Sequence, residues 1–381
     1  MAREFDIVVY GATGYTGRLV AEYLVGLGDE VKWAMAGRSA AKLAEVRDFI
    51  GAPKDAALIV ADANDDAALR AMAQRATVVL TTAGPYQLYG DGLVAACAKT
   101  GTDYVDLTGE PNWIARKIVE HAATARQSGS RIVFSCGFDS IPFEFGVLFV
   151  QSEAKKKFGV YAPRVRGRVR AINGGLSGGT MASGMVTAQA MQKDPSVAAL
   201  LADPFALTPG FKGPVQPDLN ATYEDKVTGS WVAPFMMAGI NTKAVHRSNF
   251  LLGHIWGEDF VYDEMVMTGG PGAAPPAGFS FGAPLQPGDG PTKEEREAGF
   301  YDLLYIAEYP DGRTLRASVK GDRDPGYGST SKIIAESAIC LARDIGRELT
   351  PGGCWTSASA MGETLVRRLQ ARAGLTFTVE S

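Results

Sequence analysis

The stretch Phe5-Asp6-Ile7-Val8-Val9-Tyr10-Gly11-Ala12-Thr13-Gly14-Tyr15-Thr16-Gly17 decides the fold. An apolar, β-branched run ends at three glycines spaced three residues apart, and residues 15–27 then carry helical spacing. Each glycine has a separate task. Gly11 allows a tight turn, Gly14 lets backbone N–H groups approach a pyrophosphate, and Gly17 lets the helix pack closely on the sheet. The positive end of the helix dipole favours the negative charge. The competing reading is a tight turn in a doubly wound sheet that binds nothing; a strand before the glycines, a helix after them and the repeating pattern behind them favour the binding turn.

Outward from this turn the alternation repeats. Residues 5–10, 32–36, 57–60, 77–81, 103–107 and 131–135 read as six strands, and 15–27, 40–50, 65–74, 90–100 and 113–128 as the helices between them. Repeated strand and helix predict a doubly wound parallel α/β sheet of Rossmann type. Beyond Pro142 the pattern changes to longer, Gly-rich, antiparallel-looking segments at 164–173, 232–241, 260–268 and 315–320, with a helix over 180–193. Residues 269–291 are too rich in Gly and Pro for a regular element and read as a loop or lid. Apolar residues return at helical spacing over 329–347. The predicted organisation is a Rossmann domain at 1–140, an α+β substrate domain at 141–326, and a C-terminal helix and tail at 327–381 packing back on both.

Composition sets the outer limits. The 381 residues exceed one ordinary core of about 100 to 200 residues. With 38 Lys and Arg against 42 Asp and Glu the net charge is −4, which disfavours nucleic acid as a partner. No apolar stretch approaches the roughly 18 residues of a spanning helix, which leaves only peripheral membrane contact; a homo-oligomer is compatible with the composition. The start of the chain shows no export signal, and the four cysteines, Cys97, Cys136, Cys340 and Cys354, never form a C-x-x-C pair. A reducing cytoplasm is expected, with no metal site.

Cofactor choice is legible at the end of the second strand. An NAD enzyme needs Asp or Glu there for the ribose 2′-hydroxyl, whereas this chain has Ala36-Gly37-Arg38-Ser39, with Lys42 one turn on. Arg can bind a 2′-phosphate through paired hydrogen bonds, so NADP(H) is expected; the alternative is that Arg38 and Ser39 merely cap the next helix. Asp62 either contacts the adenine end or caps the following helix. Thr81-Thr82-Ala83-Gly84-Pro85-Tyr86 closes the fourth strand, where the nicotinamide half would lie. Reduction also needs a positioned proton source, and the candidates at this edge are Tyr86, Tyr89, Asp106, Glu110 and Asp139, of which Tyr86 and Asp139 are selected. Tyr86 could equally be a buried aromatic, and Asp139 an Asx turn before Pro142. Arg164, Arg166, Arg168 and Arg170 alternate along one strand face, either solvated or docking an anion. The run 174–180 could bind an anion at a helix N-terminus or simply turn.

These motifs resemble the saccharopine dehydrogenase-like oxidoreductases, and more narrowly their trans-acting enoyl reductase branch. The glycine turn 11–17, Ala36-Gly37-Arg38-Ser39, the 81–86 stretch, residues 90–97 and 102–110, and Cys136-Gly137-Phe138-Asp139-Ser140-Ile141-Pro142 carry the resemblance. Residues 177–183, Asn241-Thr242, Arg247-Ser248, Gly326-Tyr327 and Gly352-Gly353 extend it over nearly the whole chain. The resemblance implies NADPH reduction of a carbon–carbon double bond in a lipid or polyketide-derived substrate, as a small molecule or linked to a carrier. Two other readings stay open: a dehydrogenase acting at a C–N bond of an amino acid, and a non-catalytic NADP-binding protein associated with lipid. Short-chain dehydrogenases require Tyr-x-x-x-Lys, and no Tyr here has Lys four residues later.

Overall fold

The computed structural model describes residues 3–175, 178–270, 272–273, 279–280 and 289–380. The first part of the chain runs β1 (Phe5–Tyr10), α1 (Tyr15–Gly26), β2 (Trp33–Gly37), α2 (Ala40–Phe49), β3 (Ala57–Val60), α3 (Asp66–Ala73), β4 (Ala76–Thr81), α4 (Tyr86–Tyr89), α5 (Asp91–Thr100), β5 (Asp103–Val105), α6 (Pro111–Ser128) and β6 (Arg131–Val133). Next come α7 (Ile141–Phe158), β7 (Arg164–Gly175), α8 (Gly178–Lys193), α9 (Pro195–Ala202), β8 (Tyr223–Asp225), β9 (Ser230–Pro234), α10 (Ala238–Leu251), β10 (Val261–Thr268), β11 (Phe279–Ser280) and α11 (Lys293–Ala298). The chain ends with β12 (Phe300–Glu308), β13 (Thr314–Gly321), α12 (Thr330–Arg343), β14 (Gly353–Trp355), α13 (Ser357–Arg368) and β15 (Leu375–Glu380).

The first sheet is wholly parallel, in the order β14-β6-β5-β4-β1-β2-β3. Its six N-terminal strands follow the dinucleotide-binding order, with the reversal of direction of winding between β1 and β4. This α/β Rossmann-type fold is the one expected, with a strand added: β14 returns from the far end of the chain to pair with β6. The second sheet runs β15-β13-β12-β7-β10-β9-β8, mostly antiparallel, with β7 and β10 parallel and β11 pairing in parallel with the end of β7.

Three apolar helices join the two sheets. Helix α12 lies on β1, β4 and β5, α7 lies on β12 and β13, and α13 touches both helices. Ile333, Ile334, Ala338 and Leu341 of α12 are buried in the core that continues through Phe143 and Val147 into Val165 and Val319. Each fully buried Ile or Leu contributes about 1.5 to 3 kcal/mol. Contact at α7 is close enough that a Cβ on Gly146 would fall 2.2 Å from the Tyr305 ring, while the Tyr305 hydroxyl donates to the Pro142 carbonyl at 2.9 Å.

Three sequence expectations are revised, and one further element is found. Residues 141–150 begin a helix of 18 residues, started by Pro142 and stopped by Gly159 in the left-handed region. The segment 232–241 is the end of one strand followed by the start of α10. Within 269–291, Phe279–Ser280 pairs with Gly174 and Gly175; most of the expected lid, like residues 176–177 of the glycine run, lies outside the described residues. Finally, the arginine row is neither solvated nor open to an anion. Arg164 pairs with Asp263, Arg166 with Glu308, Arg168 with Asp225 and Asp263, and Arg170 with Asp302 and Glu380. Those carboxylates come largely from adjacent strands, so the charges are matched across the sheet.

Candidate active site

The carboxyl ends of β1 and β4 meet at the winding reversal. Gly11 has φ 86°, and a Cβ there would approach Ala83 N and Thr82 Oγ1 to 3.1 Å. Thr82 Oγ1 donates to the Gly11 carbonyl at 3.3 Å, and a Cβ on Gly17 would sit 2.2 Å from that carbonyl oxygen. Gly14 caps α1 without a side-chain hydrogen bond, so the N–H groups of Tyr15, Thr16 and Gly17 have no acceptor among the described residues. Free donors at the positive end of a helix fit a pyrophosphate. Ala12 is buried beneath the turn. The Tyr15 side chain turns the other way, packing edge-on to Tyr327 and accepting from Arg296 at 2.7 Å.

At the end of β2, Ser39 accepts from the Lys42 N–H at 3.3 Å and caps α2. Arg38 and Lys42 are exposed and have no ion-pair partner among the described residues. Two cations without an ion-pair partner among the described residues, and no acid among residues 36–39 at the end of β2, fit a 2′-phosphate. Asp62 closes a small turn through Asn64 N at 2.9 Å, while Asp65, not Asp62, caps α3.

Beyond Thr81 the chain turns through Thr82, Ala83 and the cis Gly84–Pro85 peptide into α4. Tyr86 is buried, its hydroxyl donating to Thr81 O at 3.1 Å and accepting from Leu107 N at 3.0 Å. Burial pushes its pKa well above the ordinary tyrosine value. Glu110, also buried, accepts from Tyr86 N, Gln87 N and Ser183 Oγ. Asp106 accepts from Tyr104, Thr108 and Ser135, and burial raises it to about 7. Tyr89 is exposed, and the Cys136 thiol is buried with its pKa pushed up, which leaves it no thiolate character.

Asp139 stands apart from this bonded group. It lies half-buried after β6, just before the cap of α7, with no hydrogen-bond or ion-pair partner among the described residues. Burial alone raises its carboxyl to about 6. Its neighbours include Gly109, where a Cβ would lie 3.7 Å from Asp139 Oδ2.

These elements surround a cleft of about 500 Å³. Thr16, Thr82 and Gly84 line its cofactor side, Asp139 and Thr330 its floor, and Met191, Leu201, Met236, Met237 and Ile240 its apolar far wall. Helix α8 covers it. Thr180 meets Tyr327 at 3.3 Å, Ser183 donates to Glu110 at 2.9 Å and Thr187 accepts from Gln87 at 3.1 Å. This anchoring face escapes the sequence reading, although Thr180, Ser183, Thr187 and Met191 recur at helical spacing. Among the described residues lining the cleft there is no Arg or Lys. His121 and His254 do not line it, and among the described residues no group of three metal-ligating side chains occurs.

The glycine turn, the winding reversal and the cleft beside them define an NADP-dependent oxidoreductase. The sequence profile of the saccharopine dehydrogenase NADP binding domain matches residues 7–133. In fold the chain is similar to apo saccharopine dehydrogenase (L-Glu forming) of Saccharomyces cerevisiae, with a TM-score of 0.55, 11% identity, and coverage of 99% of this chain and 100% of the other. A Mycobacterium tuberculosis protein named as a trans-acting enoyl reductase is 38% identical over 97% of this chain and 96% of its own. The trans-acting enoyl reductase of Mycobacterium bovis is 35% identical, with 96% of each chain covered. The chain belongs to the trans-acting enoyl reductases of the saccharopine dehydrogenase-like family.

Proposed function

We propose that this protein reduces the carbon–carbon double bond of an α,β-unsaturated acyl substrate of lipid or polyketide type. One observation carries the choice of bond. The cleft presents a single unpartnered acid, Asp139, against an apolar wall, and none of the described residues lining it is a cation. An enzyme working at the C–N bond of an amino acid must hold the carboxylate on the reacting carbon within the cleft itself, for which Arg or Lys is the usual partner. An enoyl chain makes no such demand. The relatives named as enoyl reductases support the same reading.

NADP(H) would be held by the backbone of the 11–17 turn, by Arg38 and Lys42 at the 2′-phosphate, with Asp62 near the adenine, and by the 82–85 segment beside the nicotinamide. When bound, it supplies the hydride for one alkene carbon. Asp139, neutral below about pH 6, holds the proton for the other carbon at its carboxyl oxygen. Tyr86, whose hydroxyl is already committed at both its donor and acceptor sides, positions the ends of β4 and β5 instead of giving up its proton. Helix α8 and the Met and Ile side chains exclude water from the reacting carbons. No helix among the described residues is long and apolar enough to cross a membrane, and the four buried free thiols fit a reducing compartment.

The test is NADPH consumption measured with a 2-enoyl thioester and, separately, with a 2-oxo acid plus lysine. Turnover with the first and none with the second is expected. The reverse preference would replace the enoyl reading with the C–N one, and cofactor binding without turnover on either would favour a non-catalytic role.

A further inference from the structure

A second and larger cavity, of about 980 Å³, opens beside the reaction cleft and shares Met191, Leu201, Met236 and Gly239 with it. Its walls are mostly apolar. Ala198 and Ala202 of α9, Phe205, Pro214, Leu219 and Phe235 supply most of that surface. Its ionisable residues include two on α10 that are more than nine-tenths buried, Lys243 and His246.

Neither group is fully matched. Lys243 Nζ donates to the carbonyls of Leu201 at 2.7 Å and Gly239 at 2.8 Å, which uses two of its three hydrogens, and no carboxylate lies within ion-pair distance among the described residues. His246 Nε2 has no partner among the described residues, and its ring is held against Phe205. A buried ammonium with neutral acceptors alone is costly to keep. The cost shows: burial lowers Lys243 to about 8 and His246 to about 3. Asp203 acts on Lys243 only through its charge, without a hydrogen bond, and accepts from Phe205 N instead. Lys212 and Asp218 lie on the rim.

We infer that this cavity binds the anionic end of a long-chain carboxylate, with the carboxylate at Lys243 and His246 and the chain running along the apolar walls toward the reaction cleft. The apolar volume suits an alkyl chain, and a carboxylate oxygen accepts the one unmatched Lys243 hydrogen. Met191, Leu201, Met236 and Gly239 line both cavities, so a substrate carrying a second oxygen-bearing end would run along them and span both. The site is independent of which bond the enzyme reduces.

The probes are dodecanoate, dodecanol and dodecylamine, each below its micelle-forming concentration, titrated calorimetrically into the full-length protein without cofactor. Dodecanoate should bind saturably and about tenfold or more tightly than either of the others, the range a charge-assisted hydrogen bond provides. Lys243→Met should remove that preference while leaving dodecanol affinity unchanged. Gly239→Leu, at a helical position where an added Cβ meets nothing within 4 Å, should weaken all three by taking up space at this shared wall, and so tests the site even if Lys243→Met does not fold. Raising the pH through about 8 should weaken dodecanoate binding as Lys243 loses its proton, whereas His246 is already neutral there. The other charged or titratable groups lining the cavity are Lys212, Asp218 and Tyr262, whose phenol burial holds well above its usual value, and Asp203 acts on Lys243 from outside the lining. Equal affinity for the three probes, or a dodecanoate preference that survives Lys243→Met, would overturn the assignment. Because no turnover is measured, a failed enoyl assay leaves this result intact, and a failed titration leaves the enoyl reading intact.

Discussion

Replacing Asp139 with Asn should make the protein more stable and less active, and both effects should depend on pH. A carboxyl whose pKa is raised from 3.8 to about 6 by burial must be ionised in the folded state at neutral pH, at a cost of about 3 kcal/mol relative to water. Well below pH 3.8 the carboxyl is neutral in both folded and unfolded chains, and the penalty vanishes. Between about 4 and 6 the unfolded chain ionises freely while the folded one keeps its proton, so the wild type loses stability relative to the variant. Above about 6 the full penalty applies. Urea unfolding of the two proteins should therefore show a stability gap in favour of the Asp139→Asn variant that widens by about 2 kcal/mol between roughly pH 4.5 and 8. Wild-type turnover should fall as pH rises through about 6, because the neutral acid is the proton source, and Asp139→Asn should flatten that limb at a level about 100-fold lower. A stability gap that does not change with pH would refute the burial of an unpartnered carboxyl, and unchanged turnover would refute its role.

Arg38→Ala should cost about 1.5 to 3 kcal/mol of NADPH affinity and spare NADH, because the lost contact is to the 2′-phosphate alone; titration of both cofactors decides it, and equal losses would reject the assignment. Gly17→Ala should disturb the turn itself, since its Cβ would stand 2.2 Å from Gly11 O and 2.8 Å from Thr82 Oγ1, whereas Gly14→Ala, which meets only Gly11 O at 3.4 Å, should keep the wild-type fold and still lose NADPH affinity because its methyl stands where the pyrophosphate approaches; urea unfolding and NADPH titration of both variants check the contrast, and wild-type affinity in a folded Gly14→Ala would reject the phosphate-turn reading. Glu110→Ala should destabilise the fold by about 2 to 4 kcal/mol, by leaving the buried Tyr86 and Gln87 N–H groups without their acceptor, and should free α8 to protease through loss of the Ser183 contact; unchanged urea unfolding would contradict that account.

The Rossmann half was legible because its signals are local. Each strand from 5–10 to 131–135 is a short apolar run, and each helix before α7 keeps one polar face, so period and length both mark the element. Helix α7 was missed because residues 141–147 are buried on every side and carry no polar face to set the period. The arginines of β7 were visible as a row, but their meaning was fixed by Asp225, Asp263, Asp302, Glu308 and Glu380, which only the sheet register brings alongside. Strand β14 escaped for a similar reason: so short a segment acquires its identity from pairing with β6, which is remote from it in sequence. At the site, the glycine turn and the Arg38 corner could be read from spacing. That Tyr86 is tied down at both sides of its hydroxyl while Asp139 is free depends on atoms contributed by Thr81, Leu107 and Gly109, which no sequence pattern places.

In the proposed function, hydride passes to carbon at an enoyl double bond. NADPH deuterated at nicotinamide C4, in each of its two stereochemical forms, can be incubated with a 2-enoyl thioester and the product analysed by mass spectrometry and NMR. One deuterium, from one of the two forms only, is expected at the β-carbon, with a solvent-derived hydrogen at the α-carbon. Deuterium appearing instead on the carbon bonded to nitrogen of a secondary amine, when 2-oxo acid and lysine are supplied, with the enoyl thioester returned unlabelled and unreduced, would contradict it.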